Sequence, residues 1–247
     1  MQDYWMGRLI TKLSLIFILG FVFQSFSQSD EQSYSEEFNY GINFNTNAGL
    51  IGGFFFKWAK ANGPKRYHNF GFEVVNVKHP KENRFRNDQT GNSFLAYKTN
   101  YLFVIRPFYG QEFVLFRKAA EEGVHINGIL AGGPSIGLLK PYYILYLEPN
   151  GNPNTAVSVP YTEDLNLNQV YGVGNLTDGL NEMKITLGVH AKASLSFEFG
   201  QIKNSVFGME TGFLVEQFTR TQKIMAFTDN RKFFYSAFFT LYYGRKY

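Results

Sequence analysis

The chain contains no cysteine. Disulfides, thiolate metal sites and a lipid anchor on an N-terminal cysteine are therefore all excluded. It also lacks an apolar run of the roughly 20 residues that a membrane-spanning helix requires; the longest, Leu13 to Phe23, falls well short. A charge excess of one sign is missing too. Lys and Arg number 24 against 20 Asp and Glu, and no arginine-rich or aromatic-interleaved patch points to nucleic acid. The histidines, His68, His79, His125 and His190, have no partner two or four residues away and no acidic neighbour at ligand spacing, so neither a metal nor a cofactor is expected. Gly132-Gly133-Pro134-Ser135 lacks the lysine of a phosphate loop. No motif joins the loop residues His79, Asp88, Glu163, Asp164 and Asp178 into a nucleophile and its base, so neither an enzyme nor a small-molecule substrate is expected.

What the chain does have is a leader. Arg8 and Lys12 precede the apolar run, and Gln24, Ser25, Ser27 and Gln28 follow it. That order of charge, apolar stretch and small polar residues reads as a secretory signal peptide over residues 1–27, leaving 28–247 as one domain. Without the leader the chain carries 22 basic against 19 acidic residues, a mild excess.

The most ordered pattern lies between Lys184 and Phe199. Ile185, Leu187, Val189, Ala191, Ala193, Leu195, Phe197 and Phe199 share one parity, and Lys184, Thr186, His190, Lys192, Ser194, Ser196 and Glu198 share the other. A period of two is a strand period. Soluble strands usually run about 5–6 residues, so this one is long; its apolar face suits lipid and its polar face a barrel interior. Aromatic residues make up 18% of the chain, as expected if Tyr and Phe form girdles at two bilayer interfaces.

Similar alternation recurs around Tyr40–Thr46, Leu50–Trp58, Phe70–Val75, Leu95–Arg106, Val124–Leu147, 204–218 and 232–243. With a turn at Asn47-Ala48-Gly49 the strands number eight, the even count of a bacterial outer-membrane barrel. Pro107 is read as ending one strand, and Gly132-Gly133-Pro134 as a bulge or bend in the next. The fold class expected is all-β: an eight-stranded antiparallel transmembrane barrel in the bacterial outer membrane, with a short helical insertion on the periplasmic side. That orientation puts the long 148–183 loop outside the cell. Tyr247 ends the last strand on an aromatic residue, as the assembly signal of such barrels does.

An eight-stranded barrel is just wide enough for its own side chains to fill it. The alternation sends Glu73, Lys98, Arg106, Lys184, His190, Lys192, Glu198, Glu210 and Glu216 inward. Both signs are present, so a lumen closed by ion pairs is favoured over an ion path lined by one sign.

Arg106-Pro107-Phe108-Tyr109-Gly110-Gln111-Glu112, Leu115-Phe116-Arg117-Lys118, Glu122-Gly123-Val124, Gly132-Gly133-Pro134-Ser135 and Lys140-Pro141-Tyr142-Tyr143 together resemble small outer-membrane proteins of the Bacteroidetes. Within that group the chain is most similar to the PorD-type accessory barrels of the type IX secretion and gliding machinery. The resemblance implies a non-enzymatic barrel that sits among outer-membrane lipids and associates with a translocon barrel and a periplasmic lipoprotein.

Residues 110–123 break the strand pattern and read as one or two amphipathic helical turns. Phe113 and Phe116 would supply an apolar face, and Arg117, Lys118, Glu121 and Glu122 a charged one, either docking a periplasmic partner or plugging the barrel mouth. The alternative is a surface ligand-binding or adhesive barrel working through the 148–183 loop.

Overall fold

The computed structural model describes residues 35–247 except 50, 89, 118–123, 148–155 and 203. The expected signal peptide therefore lies outside the described residues. In chain order the strands are β1 (Glu36–Asn45), β2 (Gly53–Ala61), β3 (Arg66–Val77), β4 (Arg84–Arg86), β5 (Ser93–Leu95), β6 (Asn100–Phe116) and β7 (Val124–Pro141). After them come β8 (Tyr143–Tyr146), β9 (Val157–Pro160), β10 (Val170–Val173), β11 (Lys184–Ile202), β12 (Ser205–Gln222) and β13 (Arg231–Lys246). Among the described residues there is no α-helix, only two short 3₁₀ turns at Leu167–Gln169 and Leu180–Glu182.

Eight antiparallel strands form one closed ring in the order β1-β13-β12-β11-β7-β6-β3-β2. The first and last strands complete it, with Glu37 opposite Lys246 and Phe44 opposite Phe239. The turn expected at Asn47 separates β1 from β2. There the Asn45 side chain accepts from the Asn47 amide at 3.1 Å, while the Asn45 carbonyl accepts from Ala48 at 3.1 Å. Asparagine mimics a backbone turn in this way.

Alternation holds around the wall. Ile185, Leu187, Val189, Phe213, Val215, Tyr235, Tyr243 and Phe54 face outward and are exposed. Their neighbours Thr186, His190, Lys192, Leu214, Glu216, Ser236, Tyr242 and Phe55 face inward and are buried.

Neither proline ends or shifts its strand as expected. Pro107 lies inside β6, paired with Phe72, and β7 runs through Gly132-Gly133-Pro134 with unbroken register against β11. The two prolines sit at one place on the β6–β7 seam, where partners are absent between Ile105–Ile136 and Tyr109–Gly132. Their missing N–H donors thus coincide, and the ladder resumes in the same register beyond them. Gly133 permits the close approach, since a Cβ there would lie 2.2 Å from the Pro107 carbonyl oxygen.

The connections at the end away from the termini fold back over the mouth. β8, β9 and β10 make a small antiparallel sheet, and β4 pairs with β5. Phe94, Ala96, Tyr142, Ile144, Tyr146, Tyr161, Val170 and Ala226 bury a core of their own there. Below it, Val75, Val77, Leu102, Val104, Phe218, Ile224, Met225 and Phe234 fill the mouth of the barrel.

Candidate functional site

Beneath that apolar plug, polar side chains from five strands build the first charged layer. Arg106 on β6 donates in bidentate fashion to Glu216 on β12, at 2.8 and 2.7 Å. It also approaches Glu73 on β3 at 3.9 Å. Lys192 on β11 reaches Glu73 at 2.8 Å and Glu210 at 3.2 Å. Ser135 on β7 donates to Glu216 at 2.6 Å and lies 3.1 Å from His190 Nδ1. The single hydroxyl proton goes to the carboxylate, so the His190 ring must carry its own proton on Nδ1 to complete the contact. The Lys192 ammonium also sits 4.3, 5.1 and 5.4 Å from the ring centres of Phe108, Phe55 and Phe238 on β13. Quadrupole attraction thus replaces part of the hydration the cation has lost.

Toward the termini lies a second charged layer. Lys57 on β2 binds Glu112 on β6 at 2.8 Å, and Asn69 and Asn127 donate to the same carboxylate at 2.9 and 2.5 Å. Asn127 also donates to Glu198 at 3.3 Å. Lys246 joins Glu198 at 2.6 Å to Glu37 at 3.6 Å, and Asn39 donates to Glu37 at 2.6 Å. Tyr242 bridges toward β11 through a hydroxyl contact of 2.5 Å with Ser196. Buried charge is expensive unless it is paired and hydrogen-bonded; here partners come from nearly every strand. The interior is a cross-linked plug.

Of the residues expected inside, Glu73, Arg106, His190, Lys192, Glu198, Glu210 and Glu216 are buried within this network. Two are corrected. Lys184 is exposed, because β11 begins there at the barrel rim, beyond the point where opposite strands cover its inward parity. Lys98 is buried but precedes β6, and it pairs with Glu82 at 2.5 Å in the connections over the mouth. Burial lowers the Lys98 pKa while Glu82 opposes the shift. Nearby, burial pushes the Tyr142 phenol up to about 12, with its bond from the Leu95 amide acting the other way.

Sequence reading missed Glu37, Lys57, Glu112 and Lys246. Lys57 carried the signal, standing between Phe56 and Trp58 on a strand whose parity was already legible.

The helical insertion is also corrected. Backbone pairing carries β6 through Phe116: Arg66 lies opposite Phe113 on one side, and Gly128 opposite Phe113 on the other. Glu112 points inward to Lys57, whereas Leu115 and Phe116 are exposed beyond a register shift. The Arg117 guanidinium donates to the Pro64 carbonyl, linking two turns at the termini end. Lys118, Glu121 and Glu122 lie outside the described residues.

No family model, curated protein or solved structure matches the chain. The site is therefore argued from its own geometry.

Proposed function

We propose that this protein is an outer-membrane barrel that acts as a non-enzymatic accessory or scaffold subunit of a protein secretion translocon of the type IX kind, docking a periplasmic partner at its termini end. The observation that carries the reading is the inversion of the barrel. Its interior is held by ion pairs and its exterior is apolar around the ring, with Ile185 71% and Phe213 73% exposed. Soluble monomers rarely expose contiguous apolar patches beyond a few hundred Å², whereas such a wall is what lipid requires. The shortest strands of the ring, β1 and β2, have 10 and 9 residues, enough for a tilted strand to cross a bilayer at about 9–11. A lumen filled in layers favours a role through surfaces over a role as a conduit.

The test is to tag the protein at a loop, extract native outer membranes in mild detergent and identify what co-purifies. Recovery of a very large translocon barrel with a periplasmic lipoprotein supports the reading; recovery of this barrel alone defeats it. Replacing Arg117 and Lys118 with Glu should abolish the association while membrane insertion persists, and unchanged co-purification would remove residues 110–123 as the docking site.

A second reading has its own support. The cap over the opposite mouth has a buried core yet exposes Val157, Tyr171, Val173 and Leu176, as a surface adhesin or ligand-binding barrel would. Deleting 150–180 separates the two: lost surface binding with normal export favours the second.

A further inference from the structure

We propose that a basic pocket at the loop-end rim binds the anionic phosphate of a lipid headgroup in the surrounding leaflet. The inference rests on the membrane-spanning reading of the wall. The pocket is about 230 Å³ and lies between the β1–β2 turn, the end of β3 and the start of β13; Asn47, Lys78, His79, Arg231, Phe233 and Tyr235 line it.

Among the described residues neither Lys78 nor Arg231, which share this concave rim, has a carboxylate within 4.0 Å, in contrast to the lumen cations Lys57, Arg106, Lys192 and Lys246. The neighbouring acid is already engaged, because Glu82 accepts from Lys98 at 2.5 Å and from the His79 amide at 3.0 Å. The His79 ring is committed as well. Its Nδ1 accepts from the Lys81 amide at 3.2 Å, leaving Nε2 to face the Asp229 carbonyl at 3.4 Å. His79 thus braces the turn that carries Lys78. Two cations outside any ion pair at a concave rim suit a phosphate, which takes charge-assisted hydrogen bonds from Lys and Arg.

The aromatic side of the pocket selects a lipid over a free anion. Along β13 the lining changes from Arg231 to Phe233 and Tyr235, both exposed on the outer wall. A charged head at Arg231 and Lys78 would leave its attached chains against the apolar surface that begins two residues lower. Inorganic phosphate would use only the upper half.

The test uses the full mature chain refolded into phosphatidylcholine vesicles. A heat-sensitive shift in gel mobility scores insertion independently of the headgroup site, so failure there refutes the membrane reading itself. The inserted protein, transferred to detergent, is then titrated with lipid A, dephosphorylated lipid A and inorganic phosphate, with retained lipid read by native mass spectrometry. Lipid A should bind at least about tenfold more tightly than its dephosphorylated form, a preference set by charge-assisted bonds. The Lys78→Ala/Arg231→Ala double variant should insert normally and lose that preference. Equal binding of the two lipids, or an unchanged preference in the variant, overturns the proposal. Inorganic phosphate competing at concentrations close to those of lipid A would make this a free-anion site and overturn it too.

Discussion

Lys192 shows how the interior is held at the level of single residues. It shares its charge between Glu73 and Glu210 and is enclosed by Phe55, Phe108 and Phe238. Lys192→Met keeps the stem but leaves Glu210 buried without its ion-pair partner and Glu73 with only the more distant Arg106, at 3.9 Å. Breaking a buried pair in this way costs about 3–5 kcal/mol, and urea unfolding followed by Trp58 fluorescence should show a loss of that size. An unchanged midpoint would mean that solvent reaches the lumen and screens it. A different residue type controls the aromatic layer. A Cβ at Gly71 would meet the Phe56 carbonyl oxygen at 2.2 Å and the Phe108 ring at 2.5 Å. Gly71→Ala should therefore displace the ring that covers Lys192 and lower stability by roughly 1–3 kcal/mol, the usual cost of overpacking. The same unfolding assay reads it.

Among the elements, β6 taught the most. The spacing of Glu112, Phe113, Phe116 and Arg117 is compatible with a helical turn, and over so few residues periodicity does not separate helix from strand. Pairing with β3 and β7 decided the matter, because an extended backbone there completes two ladders and delivers Glu112 to Lys57. The strand assignment has a direct consequence. A double-mutant cycle of Lys57→Met and Glu112→Gln should return a coupling above about 1 kcal/mol, as expected for residues in contact. Additive effects would indicate that the two do not meet. The same competition explains Pro107 and Pro134, which taken one at a time read as a strand end and as a bulge or bend. Set side by side on one seam, they leave both neighbouring ladders in register. The 148–183 region likewise held more order than its polar composition suggested: Val157–Pro160 and Val170–Val173 pair with Tyr143–Tyr146 over a shared apolar core.

For the whole molecule, the inversion of polarity governs behaviour in solution. The outward rows hold Tyr40, Phe54, Phe70, Leu130, Ile185, Phe213 and Tyr235, spread over seven strands of the closed ring. Folding in water would leave this surface exposed, so the 28–247 chain should refold only when micelles or bilayers are supplied. Unheated, it should then run as a compact band that boiling abolishes. A monodisperse, folded monomer in detergent-free buffer would contradict the proposed location. The ends of the barrel differ in kind: among the described residues the termini end is held by charged pairs, the other by a cap that has its own core. The two proposed readings, a periplasmic partner and a surface ligand, accordingly call on different ends.

The sequence by itself determined the core of the eight wall strands, their split at Asn47 and which parity carries charge, because a period of two is a local property readable from neighbours alone. It also located Glu73, Arg106, His190, Lys192, Glu198, Glu210 and Glu216 on the inner face. Only the tertiary structure decided which carboxylate meets which cation, that Lys98 belongs to the cap and Lys184 to the rim, and that 110–116 is strand. Those outcomes depend on strands far apart in the chain, such as Glu73 and Lys192 joined across 119 residues. The stagger and closure of the ring set such contacts, and no local pattern records them.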